Sequence, residues 1–164
     1  MEQRGKGRER GRDETPEERA DRLWGELLQE LRVAQTGVQV LFGFLLTVAF
    51  QARFAGLSDT DRNIYTVTIL LGAATTGALI GPVSIHRLLT GRRLKPETVQ
   101  WASRLTLVGL FLLLCTMASS LLLILRLVVD DSLALWLVAA MVVWFVICWV
   151  VLPLWASATN PPRD

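Results

Sequence analysis

The run from Leu105 to Val129 reads "LTLVGLFLLLCTMASSLLLILRLVV" and carries no charge before Arg126. A membrane β-strand would be about half this length and would alternate apolar with polar residues, whereas this run is continuously apolar. A water-free bilayer core offers backbone amides no outside partner, so a segment of this kind satisfies them internally as a helix. The stretch therefore predicts a transmembrane helix.

Working outward, comparable apolar runs extend over about 33–54, 64–89 and 133–155, with this one at about 105–127. Each is close to the ~20 residues that cross a ~30 Å hydrocarbon layer. Hydrophobic residues make up 52% of the 164-residue chain and charged residues 20%, with a mean hydropathy of +0.41. Charge and apolarity must then be segregated along the chain. The expected fold is all-α: a four-transmembrane-helix bundle with an amphipathic cytoplasmic extension of the first helix. Residues 1–14 are expected to be a disordered charged tail, 15–32 the amphipathic helix, 33–155 the transmembrane domain and 156–164 a short cytoplasmic tail. The leader mixes acids with bases and the first apolar run is too long for a signal-peptide core, so the first span is expected to stay as an anchor.

Lysine and arginine set the expected orientation. They gather before Val33 and between the second and third spans (Arg87, Arg92, Arg93, Lys95, Arg104), against Arg53 and Arg62 in the first connection and Arg126 in the third. The positive-inside rule puts both termini in the cytoplasm. Trp101 and Trp155 would then lie at the inner interface and Tyr65 and Trp136 at the outer one, as belt residues or simply as packing groups.

Local signals mark where helices begin. "TPEE" at Thr15–Glu18 and "SDTD" at Ser58–Asp61 are capping boxes, and "KPET" leads into the third span. Ala20, Trp24, Leu27, Leu31, Ala34 and Val38 recur at spacings of four and three, which gives the first helix one apolar seam, while Glu18, Arg22 and Glu26 can pair beside it. Next to the seam runs a polar band containing Arg32, Gln35, Thr36 and Gln39. An amide in hydrocarbon is costly without a partner, so Gln39 is expected to face other helices or a wet crevice. The band reads either as interhelical glue or as part of a polar pathway or ligand contact.

Ala73, Gly77 and Gly81 stand four residues apart on the second span, a small-residue pattern that lets another helix approach closely. Pro82 deprives the Ala78 carbonyl of its donor and is expected to kink that helix. His86 beyond it could titrate in a function or be structural. With Arg87, Arg92, Arg93 and Lys95 it forms a basic patch suited to anionic lipid headgroups at the inner leaflet.

Other chemistries find no support. One histidine and two separated cysteines, Cys115 and Cys148, supply no metal-ligand spacing, and the cysteines read as small packing groups inside spans. No phosphate loop, dinucleotide fingerprint, zinc-protease helix or nucleophile elbow occurs, so no cofactor and no enzymatic activity are expected. Arginines interleaved with acids in the leader argue against nucleic acid. No carboxylate falls within a span, which weighs against proton- or cation-coupled transport.

"ELLQELRVAQTGVQVLFGFLLTVAFQARF" (Glu26–Phe54), "YTVTILLGAA" (Tyr65–Ala74) and "GPVSIHR" (Gly81–Arg87) resemble a family of small bacterial integral membrane proteins recorded as a domain of unknown function. The resemblance runs from about Leu23 to Leu127, with "ELRVAQTGVQ" its most specific block. It implies four membrane helices and residence in the bacterial plasma membrane, and supplies no catalytic residues. The favoured expectation is a non-enzymatic protein that binds a partner or organises membrane at the cytoplasmic face, through lipid headgroups, a protein partner or self-association of the N-terminal helix. The alternative is a small oligomeric channel or transporter with a polar pathway along helices 1 and 2.

Overall fold

The computed structural model describes residues 16–89 and 96–159, except for the side chains of 16–21, Leu27, His86, 88–89 and 96–100. The expected tail over 1–14 and residues 160–164 lie outside the described residues. Helix α1 spans Pro16–Val48, α2 Asp59–Leu89, α3 Pro96–Arg126, α4 Asp131–Val146 and α5 Leu152–Thr159. A 3-10 turn, Ala52–Gly56, joins α1 to α2, and a π-helical turn, Ile147–Val151, joins α4 to α5. No strand occurs among the described residues. Four helical segments are long and apolar enough to cross a membrane: Arg22–Val48, Asp59–Ile85, Trp101–Arg126 and Asp131–Thr159.

The first helix is continuous from its charged beginning into its apolar half and stops at Val48. The sequence reading carried the apolar run to Phe54, but the chain turns there, and Phe54 packs edge-on to Tyr65 with ring centroids 4.9 Å apart. Among the described side chains of α1 the buried ones are Trp24, Leu31, Val38 and Leu45, one every seven positions. That spacing keeps a single line facing a neighbouring helix.

Helix α2 starts where its capping box predicts. The Asp61 amide donates to Ser58 Oγ (3.2 Å) and the Ser58 hydroxyl donates to Asp61 Oδ2 (2.6 Å). Among its described side chains, the buried positions Asp61, Tyr65, Thr68, Gly72, Thr75, Leu79 and Pro82 alternate in steps of four and three, with Ala78 buried beside Leu79. Those of α3, Ala102, Gly109, Thr116 and Leu123, again repeat every seven. The two helices run antiparallel and form the most extensive contact in the molecule; α1 lies on α2 and touches α3, and α4 lies on α3. Ala134 is the one buried residue of α4.

Asp130 caps α4, accepting from the Leu133 amide at 3.1 Å. The π turn farther along has a local cause. Pro153 has no N–H, and in a regular α-helix its ring would press on the carbonyl four residues back, at Trp149. Widening the turn relieves that contact, and the Leu152 N–H bonds to Ile147 O, five residues away. Pro153 was the sequence signal for this feature, and the apolar reading of the fourth run passed over it.

Candidate functional site

The polar groups within the apolar segments sort into three sets by what they touch. The first is the band on α1. At about 100° per residue, Gln35 lies about 40° from Leu31, Gln39 about 80°, Arg32 about 100° and Thr36 about 140°. Of the four, Gln35 is half-buried and the other three are exposed. Gln35 Nε2 donates to Leu79 O at 2.7 Å, tying α1 to α2 three residues before Pro82. A carbonyl oxygen has two acceptor positions, so this bond need not displace the helix's own. Gln39 is exposed at the edge of a narrow crevice shared with Thr76, and its amide has no hydrogen-bond partner among the described residues. Thr36 is exposed and returns its hydroxyl to Arg32 O at 2.9 Å. Arg32 is exposed. Gln39, expected to face other helices or a wet crevice, thus borders a crevice, and the amide that bonds across helices is Gln35, one helical turn earlier.

The second set is the α2–α3 seam. Thr75 and Thr116 meet with hydroxyl oxygens 3.1 Å apart, and each also lies within bonding distance of its own helix, at Leu71 O and Leu112 O. Two protons serve three contacts, so the pair shares one shortfall that moves between helices. Thr68 and Ser119 form a second hydroxyl pair. Here the protons suffice: Thr68 donates to Ile64 O and Ser119 to Thr68. Thr68, Thr75 and Thr116 are buried, in a closed contact between helices.

Close approach in this seam uses glycines the sequence reading left out. A Cβ at Gly109 would lie 2.6 Å from Leu79 Cδ2, and on the side of α2 toward α1 one at Gly72 would lie 2.9 Å from Phe42 Cδ2. Of the expected small face, Gly81 is pressed on Leu105, whose Cδ2 a Cβ there would meet, and Pro82 is buried. Ala73 and Gly77 face outward, and nothing lies within 4 Å of a Cβ at Gly77. The four-residue pattern was real in sequence, but the contact follows the four-three alternation. Repeating by four drifts around an α-helix, whereas four-three stays on one line.

The third set is an ion-pair cluster at the opposite end of the molecule from Arg32. Arg126 Nε bonds Asp61 Oδ1 at 2.7 Å and Nη1 lies 3.1 Å from Asp131 Oδ2, so one guanidinium joins α2, α3 and α4. Tyr65, expected in an aromatic belt, is buried in the same region with its hydroxyl donating to Leu45 O at 2.9 Å. Trp101, Trp136 and Trp155 are exposed. Arg22 pairs with Glu26 at 2.9 Å on the exposed side of α1, as the spacing predicts.

In the expected basic patch Arg87 is exposed, while the His86 side chain and Arg92, Arg93 and Lys95 lie outside the described residues. Cys115 and Cys148 are free and half-buried. No metal-binding group of histidine, cysteine or carboxylate occurs among the described residues. An apolar cleft of about 570 Å³ opens between α1, α3 and α4, lined by Val38, Leu41, Leu113, Met117, Met141 and Phe145 among others.

The sequence pattern of a family of unknown function, DUF6328, matches residues 13–153. The chain belongs to that family. Comparison with curated proteins and with solved structures gave no match. Family membership agrees with the resemblance carried by the "ELRVAQTGVQ" block, and the four long apolar helices agree with a membrane protein.

Proposed function

We propose that this chain is a non-enzymatic protein of the bacterial plasma membrane, a four-helix transmembrane bundle whose first helix continues into the cytoplasm as an amphipathic arm. On this reading both termini are cytoplasmic, and the arm, with the inner-leaflet basic residues, engages a protein partner or anionic headgroups. The observation that carries it is the use of the polar groups inside the spans. Gln35, Thr68, Thr75, Thr116 and Ser119 bond helix to helix, and the three threonines are buried, which favours a scaffold over a polar pathway along helices 1 and 2. Exposed charge instead gathers on the early turns of α1, where Glu26, Glu30 and Arg32 stand outside the seam. Charged groups there can bind without any cost of entering hydrocarbon.

The test is recovery of co-purifying proteins from native membranes in mild detergent, quantified by mass spectrometry for the wild type, Arg32→Ala and Gln39→Leu. Arg32→Ala should lose a protein that Gln39→Leu keeps. Loss with Gln39→Leu and retention with Arg32→Ala would move the function into the span and overturn the proposal.

A further inference from the structure

A second cleft, of about 450 Å³, runs between α3 and α4 and is walled by Leu107, Leu110, Phe111 and Leu114 on one side and by Phe145 and Trp149 on the other. Its volume lies within the ~300–1,000 Å³ of small-molecule sites. The wall from α4 is shaped by the π turn, which contains Trp149, and the Phe145 and Trp149 rings lie 5.5 Å apart. Helical segments of this kind recur at functional sites.

Arg104 stands on the same face of α3 as Leu107 and Phe111, three and seven residues before them, and is exposed, as both of those are. Its guanidinium lies 5.7 Å from the ring centroid of Trp101, an arrangement that holds the cation over an aromatic face. No carboxylate lies on α4 or α5 after Asp131, so nothing on that side of the cleft competes for the charge. From Arg104 to Leu114 the helix rises about 15 Å, half of a ~30 Å hydrocarbon core. A cation at one end of an apolar slot one leaflet deep is complementary to a single kind of molecule available in a membrane.

We propose that the α3–α4 cleft binds one anionic phospholipid, with an acyl chain against Leu110, Phe111 and Trp149 and its phosphate paired with Arg104. The site requires that these helices span a bilayer. It does not depend on which way the chain is oriented or on any protein partner, so it can fail while the proposed function stands, and the reverse.

The full chain in phosphatidylcholine nanodiscs, given one phosphatidylglycerol per protein, tests this by native mass spectrometry of the released protein. Phosphatidylglycerol should be retained over phosphatidylcholine of the same chains, and Arg104→Gln should lower that preference about fivefold, the effect of one basic residue near an anionic headgroup. Arg53→Gln, at the other end of the molecule, should leave it unchanged. Leu110→Trp, which fills the cleft, should abolish retention of both lipids. Should Leu110→Trp fail to fold, phosphatidylglycerol brominated on its chains supplies the same information: it should quench wild-type fluorescence and lose most of that effect in Trp149→Phe but not in Trp136→Phe. Equal retention of the two lipids would reduce the cleft to ordinary lipid contact and overturn the proposal. Displacement by soluble glycerol phosphate, or quenching unaltered in Trp149→Phe, would do so too, by leaving a phosphate site without a chain.

Discussion

A methyl group at Gly109 would meet Leu79 at three atoms, Cδ2 at 2.6 Å, Cγ at 2.9 Å and the backbone nitrogen at 3.4 Å. Cδ2 and Cγ would both have to shift, and Leu79 is fully buried, so Gly109→Ala should cost about 1–3 kcal/mol of stability through overpacking. Gly77→Ala, with open space around it, should be neutral or gain up to about 1 kcal/mol from helix propensity. Thermal unfolding of the two variants in the same detergent checks this, and equal losses would mean that the outward face of α2 is packed after all. The amides make a parallel pair. Gln35→Leu removes the bond to Leu79 O and should cost about 0.6–1.7 kcal/mol, the range of interhelical hydrogen bonds in membranes. Gln39→Leu removes an unpartnered amide and should leave stability unchanged or slightly raised, by the same unfolding measurement. Both glutamines were legible as polar residues beside an apolar seam. Which of them bonds was not, because 40° of rotation separates them and the acceptor belongs to another helix.

At the scale of elements, the α2–α3 contact combines glycines, hydroxyls and one ion pair. Where lipid tails are as apolar as leucine, helices gain little by burying leucine against leucine, and close backbone approach with a few hydrogen bonds takes its place. The Thr75–Thr116 pair tests how much the hydroxyls contribute. Thr75→Val and Thr116→Val should each lose stability, while the double variant should lose less than their sum, with a coupling of about 0.6 kcal/mol. Strict additivity would mean that each hydroxyl serves its own helix alone. Helix starts were readable here: Ser58 and Asp61 form the capping box seen in their spacing. The π turn was not read, although Pro153 announced an interruption. A proline states that a hydrogen bond is missing, and the surrounding turn decides how the helix absorbs the loss.

For the whole molecule the prediction concerns orientation. If arginine and lysine set it, a cysteine introduced at Asn63 should react with an impermeant thiol reagent on intact cells, and one at Gly91 should react after permeabilisation. The opposite pattern would invert the arrangement and move Arg32 and Arg104 to the outer leaflet. The sequence by itself determined that four long helices would form and roughly where they begin and end, because segregation of charge from apolar residues and capping chemistry are local properties. It also determined the seam of α1, whose repeat of seven is visible in one strip of chain. Tertiary structure alone decided that Gly72 and Gly109 rather than Gly77 are the close contacts, that Gln35 finds Leu79 O, and that Arg126 gathers Asp61 and Asp131. Each of those depends on the register between two helices. Many apolar residues around a membrane helix offer several faces of nearly equal hydrophobicity, so pattern leaves the register open until small residues and polar partners on the neighbouring helix select one.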